Sequence, residues 1–166
     1  MAALLGRLAA AKVEFVVVGG LAVNAHGVIR STKDLDICPA PDRPNLARLA
    51  GLLRELDVRH EGAGDFGPQE LPFDPTRDED LAEGGNFRLV TPHGLLDLMQ
   101  WIPGIDAAQA YATLAGDAET ATAFGVHVKV CSLEHLRLMK RTAGRPQDLV
   151  DLEDLAAAHP EGEAGG

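Results

Sequence analysis

Two carboxylates share one face of an apparent strand in Asp34-Leu35-Asp36-Ile37, and thirteen residues separate them from a diglycine, Gly19-Gly20, that closes the apolar run Phe15-Val16-Val17-Val18. Strict alternation of acid and apolar side chain is the period-two pattern of a strand with one wet and one buried face. The β-branched run before the glycines reads as a second, fully buried strand. Gly19 and Gly20 let the backbone turn tightly into a short helix, whose N-terminus suits a phosphate. Two like charges this close resist ionisation unless a cation lies between them. Magnesium, or manganese in its place, is the natural candidate, because it takes oxygen ligands and is commonly shared between carboxylates and substrate phosphates.

A third acid strengthens this reading. Asp97 interrupts Leu95-Leu96-Asp97-Leu98-Met99, a run otherwise fit for a sheet interior. A buried, unpartnered carboxylate is costly, so Asp97 needs a partner. If its strand lies beside the one carrying Asp34 and Asp36, the three side chains converge on a site able to hold two metal ions about 4 Å apart. An isolated Asp-x-Asp is more often a turn or a solvated strand edge; the diglycine and Asp97 are what argue for a site here.

An apolar strand, Gly-Gly, a spacer and Asp-x-Asp with apolar neighbours together resemble the signature of the polymerase-β-like nucleotidyltransferases. Within that superfamily, GGLAVNAHGVIRSTKDLDI is most similar to the small bacterial AbiEii-type toxin nucleotidyltransferases, through Arg30, Thr32, Asp34 and Asp36. The C-terminal SLEHLRLMKRTAGRPQDLVDLEDL resembles the later motifs of that group through Lys140, Arg145, Asp148 and Asp151. The likeness spans residues 14–156, with a poorly matched stretch at 57–85.

The resemblance implies an α/β (α+β) polymerase-β-like fold, a mixed twisted sheet flanked by helices with further helices at the C-terminus. Residues 1–158 would form one nucleotidyltransferase domain and 159–166 a disordered tail. It also implies transfer of a nucleotidyl group from a nucleoside triphosphate (NTP) to an acceptor hydroxyl, with two Mg2+ ions held by Asp34, Asp36 and Asp97. Asp97 would in addition take the acceptor proton. Gly19 and Gly20 would bring backbone amides to the phosphates, Arg30 or Thr32 would orient the triphosphate, and Lys140 would add a point charge. Asp148 and Asp151, at i and i+3 on one helical face, would position Lys140 or Arg145 by ion pairing. Possible acceptors are tRNA, in a toxin–antitoxin or phage-defence setting, or an aminoglycoside or lincosamide antibiotic. A different class of reading is a non-catalytic nucleotide-binding module that partners a cognate antitoxin or acts as one.

Composition narrows the partners. The 166 residues carry a formal net charge of -10, with a pI near 4.9, which argues against a general DNA-coating or anionic-membrane protein. Arg30, Lys33, Arg137, Lys140, Arg141 and Arg145 nonetheless fall in or near the motifs, so a basic pocket in an acidic protein is expected. The opening MAALLGRLAAAK reads as an amphipathic helix rather than a signal peptide, and no run approaches the ~20 apolar residues of a membrane span. Cys38 and Cys131 lie at apparent strands with no Cys-x-x-Cys spacing, which predicts buried reduced thiols and a cytoplasmic setting. The six histidines are scattered, and His26 reads as a structural histidine beside the turn.

Along the rest of the chain, Asp42 and Pro44 announce a helix over NLARLAGLLREL, with Leu46, Leu49, Leu52, Leu53 and Leu56 on one face. Residues 61–85 show little periodicity. They form either a mobile loop over the site or an insertion with Phe66, Leu71 and Phe73 tucked in; their acids suit a cationic acceptor as well as they suit a solvated loop. Residues 86–90 and 95–99 read as strands paired around Thr91-Pro92-His93-Gly94. A helix near 107–114, a strand at 126–130, a helix capped by Ser132 and running through Lys140, and a last helix opened by Pro146 complete the pattern.

Overall fold

The computed structural model describes residues 1–64 and 70–160. At its centre β1 (Phe15–Val17) runs antiparallel to β2 (Asp34–Pro39), and the glycine turn with α2 (Gly19–Ala25) connects them. β2 pairs in parallel with β5 (Gly94–Met99), which forms a hairpin with β4 (Asn86–Thr91); the two-residue β3 (Arg59–His60) closes that edge. On the other side β1 pairs in parallel with β7 (Val126–Val130), whose hairpin partner is β6 (Glu119–Ala123). The described residues thus form a mixed seven-stranded sheet of order β3-β4-β5-β2-β1-β7-β6.

Side-chain alternation sets the faces. Leu35 and Ile37 of β2, Leu96 and Leu98 of β5, and Leu89 of β4 are fully buried, so the acids between them turn to the opposite side. The apolar face meets α1 (Ala2–Ala10) and α3 (Arg43–Glu55) in one core with Leu4, Leu5, Leu8, Leu46, Leu49 and Leu53. Asp42 caps α3 by accepting from the Asn45 amide, as its sequence predicts. Asn45 is itself buried and ties three segments together. Its side chain accepts from the Glu14 amide and donates to the Glu14 and Ala40 carbonyls, which satisfies every polar atom it brings inside.

Among the expected elements, the 86–90/95–99 hairpin, the 126–130 strand and the last two helices, α6 (Leu133–Ala143) and α7 (Pro146–Ala158), are present. Ser132 accepts from the His135 amide and so caps α6. The helix expected near 107–114 begins as a 3-10 turn and continues as α5 (Ala110–Gly116). Three elements were not anticipated, the two-residue β3 among them. β6 carries the weak pattern Glu-Thr-Ala-Thr-Ala, which its hairpin with β7 stabilises. α4 (Asp78–Glu83) forms inside the aperiodic stretch and buries Leu81 completely. Phe73 is not tucked in: it is 47% exposed, with its ring edge against Phe87. Phe66 and residues 161–166 lie outside the described residues, whereas His159 donates from Nε2 to the His26 carbonyl at 2.6 Å and so ties the end of α7 to α2. No helix among the described residues is long and apolar enough to cross a membrane.

Candidate active site

The glycine turn and the acid strand are built against each other. Gly19 has φ +63, and a side chain there would overlap the Asp36 carboxylate; a Cβ on Gly20 would stand 2.6 Å from Thr32 Oγ1. The amide end of α2 therefore faces a protein carboxylate, and the Gly20 amide hydrogen-bonds Asp36. Thr32 donates its hydroxyl proton to the Asp34 carbonyl at 3.2 Å, shaping the entry into β2.

Register brings the three acids to one face. Asp36 lies opposite Asp97 across the β2–β5 ladder, with Asp34 two residues along the same face of β2. Burial raises the pKa of Asp36, reinforced by Asp34, while the Gly20 amide, Arg145 and Lys140 pull it down. Asp97 is pushed up to about 6, first by burial and then by Asp36. Its Oδ1 is buried without a hydrogen-bond partner; the Arg88 Nε contact at 3.4 Å is an ion contact only. A set of three carboxylates with an orphaned buried oxygen fits an oxygen-liganded divalent cation. As the side chains lie, however, no three acidic, His or Cys groups among the described residues stand close enough to hold a metal ion. The Arg88 guanidinium reaches two of these acids, Asp34 at 3.2 Å and Asp97 at 3.4 Å.

Facing the acids is a chain of alternating charge. Arg30 Nη1 donates to both oxygens of Asp151, at 2.8 and 2.6 Å, and Lys140 Nζ donates to Asp151 at 2.6 Å and Asp148 at 3.2 Å. Arg145 Nε donates to Asp148 at 2.8 Å, and Gln147 Nε2 donates to Asp151 at 3.0 Å. Asp148 also closes a capping box with the Arg145 backbone at the start of α7. Asp148 and Asp151 are almost wholly buried, and burial alone would raise their pKa values; the bonds from Arg145, Lys140, Gln147 and Arg30 outweigh it and hold both below the usual carboxylate range. The i, i+3 spacing of these acids thus positions Lys140 and Arg145, and it also positions Arg30, which was not anticipated. Asn24 holds the Arg30 backbone through both its N–H and its carbonyl.

One cavity of about 870 Å³ joins the two walls, lined by Gly19, Gly20, Arg30, Thr32, Asp34, Asp36, Asp97, Lys140, Arg145, Asp148 and Asp151. Of the six basic residues grouped from the sequence, Arg30, Lys33, Lys140 and Arg145 line it. Arg137 and Arg141 do not: Arg137 instead donates to the Leu155 and His159 carbonyls, fixing the end of α7, and Arg141 is exposed. His26 is a satisfied structural histidine, with Nε2 donating to the Cys131 carbonyl at 2.8 Å. Arg88 was missed from the sequence. The signal was available, since a hairpin centred on residues 92–93 necessarily places Arg88 opposite Asp97.

No family model matches this chain, and none of the curated proteins does. Solved structures do match in fold. The antibiotic-resistance factor ANT(2'')-Ia in solution superposes with a TM-score of 0.58 at 17% identity, covering 95% of this chain and 83% of its own. The lincomycin-bound lincosamide antibiotic adenylyltransferase LnuA gives 0.59 at 16% identity, covering 93% of each chain. ANT(2'')-Ia in complex with adenylyl-2''-tobramycin gives 0.55 at 17%, covering 95% and 88%. With its seven-stranded mixed sheet flanked by helices, this chain adopts the nucleotidyltransferase fold.

Proposed function

We propose that this protein is a nucleotidyltransferase that moves a nucleoside monophosphate from an NTP to an acceptor hydroxyl. One observation carries the reading. Three carboxylates on the sheet and three cations held by buried acids line the same cavity, which suits a polyanion bridged to carboxylates on one side and neutralised by cations on the other. Asp34, Asp36 and Asp97 are the residues to hold divalent ions, magnesium or manganese. Bound ions would supply charge neutralisation to the triphosphate and acidity to the acceptor hydroxyl.

Arg30, Lys140 and Arg145 bind and orient the triphosphate, and their fixed ion pairs reduce the reorganisation needed when it arrives. The acceptor oxygen forms its bond to the α-phosphorus as the bond to the bridging oxygen breaks, and pyrophosphate leaves. Asp97, ionised above about pH 6, takes the acceptor proton. Gly19 and Gly20 keep the turn low enough for phosphate oxygens to approach the carboxylates.

For the acceptor, the Arg-x-Thr-x-Asp-x-Asp resemblance to AbiEii-type toxins supports tRNA in a toxin–antitoxin setting. The similar structures include a lincosamide antibiotic adenylyltransferase and ANT(2'')-Ia in complex with adenylyl-2''-tobramycin, and a net charge of -10 favours an acceptor of that kind over a polyanionic RNA. The decisive experiment incubates the protein with each α-labelled NTP and Mg2+, in parallel with total tRNA, an aminoglycoside and a lincosamide, beside an Asp34→Ala plus Asp36→Ala control. Label in one acceptor that vanishes in the control identifies the substrate. Triphosphate binding with no transfer to any of them, together with a co-purifying protein, supports the non-catalytic antitoxin or partner module instead.

A further inference from the structure

Asp36, Asp97 and Arg88 form one cross-strand row over β2, β5 and β4, since Asp36 is opposite Asp97 and Asp97 is opposite Arg88. The Arg88 guanidinium bends back over the acids. It meets Asp34 Oδ2 at 3.2 Å and Asp97 Oδ1 at 3.4 Å, and its closest carboxylate contact is Glu61 Oε2 at 2.8 Å. Glu61 stands just beyond β3, where its backbone N–H donates to the Arg88 carbonyl at 2.8 Å, so the β3–β4 pairing sets the distance between the two residues. Side-chain exposure rises outward along the three contacts, from 17% at Asp97 through 30% at Asp34 to 41% at Glu61. The chain thus places its own cation in the acid cluster and a second anion, nearer solvent, within that cation's reach.

We propose that Arg88 is an internal counter-ion of Asp34 and Asp97 that yields its place to a divalent cation, and that Glu61 is the carboxylate on which its guanidinium then rests. The inference depends on the reading of Asp34, Asp36 and Asp97 as metal ligands. Two cations cannot share the same carboxylate oxygens without strong repulsion, so occupancy of the acids requires Arg88 to withdraw. Withdrawal is cheap in structural terms. Arg88 is half exposed, its Glu61 contact already exists, and rotation about its own side-chain bonds suffices without moving the ladder. The exchange tunes affinity: Arg88 weakens metal binding by competition, and Glu61 partly restores it by holding the displaced charge. Arg88 is a positioning residue in this scheme and touches no reacting atom.

The test measures Mn2+ binding by electron paramagnetic resonance, without nucleotide, for wild type, Arg88→Gln, Glu61→Gln and the double variant. Arg88→Gln is expected to bind about tenfold more tightly and Glu61→Gln roughly threefold more weakly, with the double variant equal to Arg88→Gln alone. If Glu61→Gln weakens binding equally in both backgrounds, Glu61 acts as a plain surface charge and the proposal is overturned; unchanged affinity in Arg88→Gln overturns it as well. The Arg88 Nε–H resonance in a ¹⁵N spectrum should move on Mg2+ titration of wild type and stay fixed in Asp34→Asn plus Asp36→Asn. Acid-dependent Mn2+ binding with a motionless Arg88 resonance sinks this inference alone. No acid-dependent Mn2+ binding in either wild type or Arg88→Gln sinks the metal-ligand reading with it.

Discussion

Asp36 lies directly opposite Asp97 across the parallel β2–β5 ladder. Directly opposed side chains project from the same face of a sheet, so the pairing sets two carboxylates side by side, with Asp34 on the same face of β2 and Arg88 reaching Asp34 and Asp97 from β4. Like charges in this position destabilise the fold and are retained where a ligand uses them, which makes the pair the most informative contact in the molecule.

Asp97→Asn should separate stability from activity. A carboxyl whose pKa rises from 3.8 to about 6 on folding holds its proton more tightly in the native state. Its contribution is favourable below about pH 4 and is lost as pH climbs through 6. Asn removes that loss, so the variant should be more stable than wild type at pH 7, by at most about 3 kcal/mol, with the difference vanishing near pH 4. Turnover should fall by about 10² to 10⁴ if Asp97 takes the acceptor proton. Urea melts at the two pH values and a transfer assay read the two effects separately; a variant less stable at pH 7 contradicts the account.

Asp151→Ala should do the reverse. It leaves Lys140, only 7% exposed, with Asp148 alone at 3.2 Å and takes from Arg30 its carboxylate partner, and losing charged hydrogen bonds of this kind costs about 2 to 3 kcal/mol. Because the pKa of Asp151 is lowered on folding, wild type has the benefit above the usual carboxylate range and loses it as pH falls through the depressed value. The variant's deficit should therefore be largest near neutrality and shrink in acid. Denaturant titrations from pH 7 to pH 3 test the slope, and a deficit below about 1 kcal/mol at pH 7 would show the network to be dispensable.

Gly19→Ala meets two obstacles, a left-handed φ and the Asp36 carboxylate. The backbone conformation alone costs roughly 1 to 2 kcal/mol. Relief comes most readily by turning Asp36 away, so transfer should drop more steeply than the melting temperature. Circular dichroism melts beside NTP turnover decide this; a folded variant of full activity would show that the close approach is not needed.

Cys38 and Cys131 should be inert in the native protein. Burial pushes both thiols to about pKa 12, so little thiolate is available near neutral pH. A chromogenic disulfide reagent should label neither residue until denaturant is added and both afterwards. Fast labelling of one in native buffer would mean that its strand opens locally.

Local pattern by itself determined a good deal of this protein. Period-two alternation identified β2, apolar runs on either side of a turn identified β4 and β5, leucine spacing identified α3, and Asp42, Ser132 and Pro146 marked helix starts, because each depends on bonds within a few residues. Gly19 and Gly20 were legible for the same reason, although their tight fit against Asp36 and Thr32 was not. Tertiary structure alone decided the rest. Glu-Thr-Ala-Thr-Ala alternates only Thr with the small Ala, too weak a pattern to declare β6, and its ladder with β7 makes it a strand. Phe73 looked like core from its type, yet no part of the described fold encloses it. Sequence could place Arg30 and Asp151 in separate motifs, but they stand 121 positions apart, and the 2.6 Å bond that joins them exists only because α7 packs beside α6 and the turn after α2. Charge pairing across such separations follows from where whole elements come to rest, and no short-range rule in a sequence encodes it.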